Sequence, residues 1–113
     1  MAEEARALGK DSPISPQKAR LMANEIRGLP VARAIAELAL STKKSARLIE
    51  KVLKSAIANA EQNHGLDVDE LVVASIQVDA GETLKRFRPK GMGRMRKRFH
   101  HRSHISLAVS ERA

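Results

Sequence analysis

The chain has 113 residues, a net charge of +8, no Cys, Trp or Tyr and only two Phe. That length suits one domain with a modest core of small aliphatic residues, about 65% of its unfolded surface being buried on folding. The lack of Cys excludes disulfides and thiolate metal sites, and the acidic start Met1-Ala2-Glu3-Glu4-Ala5-Arg6, followed by no apolar run of ~18 residues, speaks against export and membrane spanning.

In chain order, Ala5-Arg6-Ala7-Leu8-Gly9-Lys10 is either a strand added to a sheet or a loose arm. Ser15-Pro16 then starts a helix, Ser as N-cap and Pro where a missing N–H costs nothing. Ala19, Met22, Ala23 and Ile26 recur at helical spacing, and Gly28 sits where a C-terminal cap belongs. Pro30 opens a shorter helix with Val31, Ala34, Ile35 and Leu38 on one face. Ser41 or Thr42 is expected to cap a third. There Ala46, Ile49, Leu53, Ala56, Ile57 and Ala60 form an apolar stripe, with Lys43, Lys44, Arg47, Lys51 and Lys54 on the other faces. Asn63-His64-Gly65 ends it, and Asp67 to Glu70 is a polar connector.

From Leu71 the period becomes two. Val72, Ala74, Ile76 and Val78 alternate with Val73, Ser75, Gln77 and Asp79, as in a half-buried strand. Ile105, Leu107 and Val109 alternate likewise with Ser106, Ala108 and Ser110. Two strand roots flanking one basic segment indicate an antiparallel hairpin. Its reversal falls near Pro89-Lys90-Gly91-Met92-Gly93-Arg94, where Pro and Gly permit a turn. At ~3.3 Å per residue, about 15 residues from root to tip give a ribbon of about 50 Å. Such a ribbon is marginal in water alone, so its distal half is ordered mainly by what surrounds it. Gly81 is expected to bend the chain where the ribbon leaves the body, and Phe87 and Phe99 to lie roughly opposite each other across it. The fold class is therefore α+β, a single domain over 1–113. Three helices pack on a small antiparallel sheet, the body covers about 1–84 and 103–113, and one long basic β-hairpin arm spans about 80–104.

Charge is unevenly distributed. Met1 to Leu84 holds eleven Lys/Arg against twelve Asp/Glu, whereas Lys85 to Arg102 holds nine basic residues and no acid. These are Lys85, Arg86, Arg88, Lys90, Arg94, Arg96, Lys97, Arg98 and Arg102. A short charge run is usually a solvated face, but this density without compensation repels itself and calls for a polyanion. Six of the nine are Arg, which bonds phosphate bidentately and stacks on bases. Alternation along Arg94-Met95-Arg96-Lys97-Arg98 points charge to both faces, as in a ribbon enclosed by nucleic acid. With no recognition helix, zinc-finger spacing or aromatic-rich RNA-binding strand, recognition of phosphate and shape is indicated.

His100, His101 and His104 do not converge on a strand, and no nearby carboxylate or Cys completes a metal site. They suit RNA or solvent better, and His64 suits a helix end. Gly91-Met92-Gly93 precedes neither a helix nor a Lys-Ser/Thr signature, so it reads as a turn rather than a phosphate loop. Met92 and Met95 offer adaptable apolar contacts near the tip. Ser12, Ser15 and Ser41 fit turns and caps, so neither an enzyme nor a cofactor is expected.

Ser15-Pro16-Gln17-Lys18-Ala19-Arg20-Leu21, Ile26-Arg27-Gly28, Ser55-Ala56-Ile57-Ala58-Asn59-Ala60-Glu61 and Ser103-His104-Ile105, in this order and spacing, resemble the large-subunit ribosomal protein twenty-two family in its bacterial or organellar form. The resemblance covers nearly the whole chain. It implies binding to large-subunit ribosomal RNA and neighbouring ribosomal proteins, with a role in early assembly. It also implies a hairpin along the nascent-peptide exit tunnel, whose tip, Arg88-Pro89-Lys90-Gly91-Met92-Gly93-Arg94, meets the nascent peptide. Leu84-Lys85-Arg86 would lie near the macrolide region. RNA contacts implied in the body are Ser15, Lys18, Arg20, Arg27, Asn59 and Asn63, and His104 at the base of the ribbon is a further RNA-binding candidate. The location implied is the ribosome, in the cytoplasm or an organelle, with no membrane and no homo-oligomer. Two departures stand out, an acidic N-terminus where the family is often basic and Met in the tip where many relatives have Ala. The rival readings are a nucleoid-type DNA-binding protein with basic β-arms, which would need an intertwined dimer, and a small metal enzyme built on the histidines.

Overall fold

The computed structural model describes residues 4–81, 84–90 and 94–111, with 11, 84–90 and 94–100 described as backbone only. In order these form β1 (Glu4–Ser12), α1 (Pro16–Ile26), α2 (Val31–Leu40), α3 (Lys44–His64), a 3₁₀ turn (Val68–Glu70), β2 (Leu71–Ala80), β3 (Leu84–Lys90), β4 (Arg94–His100) and β5 (Ser103–Glu111). The architecture is α+β: three helices and a three-stranded antiparallel sheet in the order β1-β5-β2. The N-terminal segment is thus a strand, pairing Glu4 with Ser110 through Gly9 with Ile105.

The helices follow from their apolar spacing. α1 buries Ala19, Met22, Ala23 and Ile26, and α2 buries Val31, Ala34 and Leu38. α3 buries Ala46, Ile49, Leu53, Ala56 and Ala60, together with Val52 and Ser45, which the stripe did not include. Ile35 and Ile57 pack only partly buried at the margin of this core. Ser15 is the N-cap of α1, but its side chain makes no capping bond. The cap of α3 is Lys43 rather than Ser41 or Thr42. Ser41 instead accepts from the Lys43 N–H through its hydroxyl, and Arg47 donates to the Leu38, Ala39 and Ser41 carbonyls. These bonds satisfy the open C-terminus of α2 and hold the connection extended, so α3 begins later. Gly65 closes α3 in the left-handed region, φ 64°, where a side chain would be strained.

The expected strand alternation fails in the first half of β2. Leu71 and Val73 are buried there, then Ile76 and Val78. The cause is a bulge: Val73 pairs with Val109 but Ser75 with Ala108, leaving Ala74 unpaired. One extra residue exchanges the faces of everything before it, so Val72 and Ala74 do not join the core. β5, the central strand, buries Ile105, Leu107 and Val109 as expected.

Each edge strand is covered in its own way. On β2, Gly28 N–H donates to the Val73 carbonyl and Val73 N–H to the Leu29 carbonyl. Further along, Arg27 donates to the Ile76 carbonyl at 2.8 Å, and Arg20 donates twice to the Val78 carbonyl, at 2.9 and 3.1 Å. On β1, the Asn59 amide of α3 donates to the Arg6 carbonyl at 3.0 Å. Unpaired edge groups invite pairing with other chains, and these side chains occupy them.

Candidate nucleic-acid interface

The basic segment leaves the sheet at a tight root. Ala80 pairs with Ser103, and Gly81 N–H donates to the Arg102 carbonyl at 2.7 Å. A Cβ on Gly81 would come within 3.1 Å of that carbonyl group, so the expected special role of this glycine is one of close backbone approach. The buried Ser103 hydroxyl donates to the Ile14 carbonyl at 2.7 Å, fastening the start of α1 to the same root.

Beyond the root, β3 and β4 pair antiparallel as a separate two-stranded sheet, from Leu84 with His100 to Lys90 with Arg94. Three of its pairs set cation directly against cation: Arg86 with Arg98, Arg88 with Arg96, and Lys90 with Arg94. Like charges directly opposite are destabilising. The two Phe are not opposed: Phe87 pairs with Lys97 and Phe99 with Lys85. The pairing is centred on position 92, one residue short of the centre that would join them. Of the tip, Gly91, Met92 and Gly93 lie outside the described residues. So do the side chains of Lys85, Arg86, Arg88, Pro89, Lys90, Arg94, Arg96, Lys97 and Arg98.

The remaining candidates divide between two places. Ser15, beside Ile14, and Arg20 lie near the root that carries Arg102 and His104, through the Ile14–Ser103 and Arg20–Val78 bonds, and Lys18 is on α1 between them in sequence. Arg27 stands one alternate carbonyl further along β2 and also donates to the Asn24 side chain at 2.7 Å. Asn59 and Asn63, hydrogen-bonded to each other, lie at the opposite sheet edge. Arg6, which Asn59 meets, pairs with Ala108, five residues along β5 from Ser103 and so about 16 Å from the root. The candidates therefore ring the sheet rather than form one cluster. The anchoring of Arg20 and Arg27 to the β2 edge was not legible in sequence, because nothing there locates the carbonyls they reach. Each guanidinium keeps further donors for an outside acceptor. Among the described residues no group of His, Asp or Glu is arranged to hold a metal ion.

The family model described as Ribosomal protein L22p/L17e matches residues 7–110. The chain belongs to this family. An L22-family chain is a large-subunit ribosomal protein, a component of a ribonucleoprotein that takes part in translation, and is structural rather than enzymatic. Its setting is the ribosome, among ribosomal RNA and other ribosomal proteins. No helix among the described residues is long and apolar enough to cross a membrane. The match runs through both strand roots and the basic segment between them.

Proposed function

We propose that this chain binds large-subunit ribosomal RNA mainly through a continuous arm from about residue 80 to 104, and supports subunit assembly by doing so. The observation that carries this reading is the run of nine cations from Lys85 to Arg102 without one acid. Its register adds cost to any free state by opposing like charges, a cost that phosphates remove. Lys85, Arg86, Arg88, Lys90, Arg94, Arg96, Lys97, Arg98 and Arg102 are the principal contacts. Ser15, Lys18 and His104 add contacts at the root, and Arg20, Arg27, Asn59 and Asn63 do so around the sheet. The segment Arg88 to Arg94 lines the nascent-peptide exit tunnel and meets the nascent peptide, with Leu84-Lys85-Arg86 near the macrolide region. The chain acts as one domain and as a monomer, since its helices and sheet close a core within one chain.

Binding of a large-subunit ribosomal RNA transcript across a salt series tests the RNA reading. Replacing Arg96, Lys97 and Arg98 by Ala lowers the log–log salt slope by up to about 0.7–0.9 per lost phosphate contact. An unchanged slope means those side chains do not meet phosphate. For the tunnel reading, a stalled nascent chain carrying a photo-crosslinker should label the segment 88–94. Labelling confined to other proteins would remove it.

A further inference from the structure

We infer that the outward face of α3 is a second RNA-backbone site, formed by Lys44, Arg47, Lys51 and Lys54 and separate from the basic ribbon. The inference rests on the RNA-binding reading above and extends it to a surface which that reading leaves unused.

At 100° per residue these four cations fall within one quarter of the helix circumference, opposite the buried arc of Ala46, Ile49, Leu53, Ala56 and Ala60. All four are exposed. Only one carboxylate serves them: Glu50, 18% exposed, binds Arg47 at 3.0 Å and Lys54 at 3.1 Å. Among the described residues Lys43, Lys44 and Lys51 have no acid within ion-pair distance. Lys43 and Lys44 also occupy the start of α3, whose first turn holds no acid. Cations are unfavourable there, beside the positive end of the helix dipole. The face thus concentrates positive charge where the helix itself disfavours it, and an external anion relieves both repulsions. Five acids lie at the far end: Glu61, Asp67, Asp69, Glu70 and Glu111 gather around the C-terminus of α3 and the 3₁₀ turn. The near-neutral count of the body therefore conceals two opposite patches whose centres lie about 20 Å apart, at 1.5 Å per residue along α3. Such a body has a preferred orientation on a polyanion.

The face suits RNA rather than an acidic protein. Protein interfaces are poor in Lys and centre on buried apolar or aromatic anchors. Among the described residues the exposed large apolar ones are Leu8, Leu21 and Leu40, none of them on α3. Between and beyond its cations the face offers Ser55, Ala58 and Gln62, all small or polar. Lys44 to Lys54 spans about 15 Å, enough to follow several phosphates of one strand. Lysine makes such contacts as a hydrated point charge, without the fixed fork of arginine. The site is therefore one of backbone attraction without base readout.

The test uses the full chain and a large-subunit ribosomal RNA transcript over a salt series. K44Q/K51Q/K54Q should lower the log–log slope by ~2 to 3 in total, while K44R/K51R/K54R, which keeps the charge, should hold the wild-type slope. Thermal unfolding of both variants confirms that they fold. If wild type binds and the ribbon variant R96A/K97A/R98A lowers the slope but the Gln variant does not, the α3 site is overturned and the main reading stands. That result is also what a protein occupant of this face predicts. If the wild-type chain itself shows no salt-dependent binding, both readings fall.

Discussion

At the scale of single residues, several positions are explained by what stands against them rather than by their own chemistry. A Cβ on Gly9 would lie 2.6 Å from a Val52 methyl of α3, so this glycine is what lets the third helix lie close on β1. Gly9→Ala should destabilise the protein by about 1–3 kcal/mol, as overpacking does. Val52→Ala in the same chain should recover part of that loss, a coupling that a double-mutant cycle in urea measures. Arg20 and Arg27 were identified in sequence only as residues matching an RNA-binding pattern. In the structure both hold α1 against carbonyls of β2. Arg20→Ala should therefore lower the urea midpoint by an amount equivalent to about 1 kcal/mol even without RNA. A midpoint equal to wild type would mean that this arginine is free for RNA alone.

At the scale of elements, helices were more legible than strands. Apolar spacing of three and four marks a helix face without reference to any partner, so the buried residues of α1, and most of those of α3, followed from sequence. β2 was harder because Leu71, Val72, Val73 and Ala74 are all apolar and carry no phase of their own. Its phase comes from pairing with β5, where Ala74 is passed over. This makes a simple reversal testable. Val73→Thr buries a hydroxyl in the core and should cost about 1–3 kcal/mol, whereas Val72→Thr, only half-buried, should stay within about 0.5 kcal/mol. Equal losses at the two positions, measured by chemical denaturation, would contradict the bulge. The start of α3 was misplaced for a related reason. Arg47 reaches back to three carbonyls at the end of α2, a contact between helices that a capping rule for one helix does not contain. Ile49 is wholly buried, and Ile49→Ala should cost about 2–5 kcal/mol, read from the urea midpoint.

For the whole molecule, charge carried most of the functional information, and its distribution mattered more than its total. The ribbon was recognisable because its cations are contiguous in sequence. The α3 patch was not, because its four cations are spread over eleven positions with Glu50 among them, and the acids elsewhere in the body cancel them in any count. Folding separates what summing had joined. The motifs from Ser15-Pro16 to Ser103-His104-Ile105 had already indicated the family to which the match over residues 7–110 assigns the chain. They lie in the body and at the strand roots, where packing ties residue identity to position. On the proposed reading, a small body closed by its own core meets RNA through two surfaces of different chemistry, an Arg-rich ribbon and a Lys-rich helix face.

The most direct measurement is sedimentation of a native cell lysate through a sucrose gradient, following this chain across the fractions after a high-salt wash. Co-migration with the large ribosomal subunit, retained after the wash, is the expected result, since an arm enclosed by folded RNA is held by shape as well as by charge. Recovery at the top of the gradient, or with DNA, would contradict it.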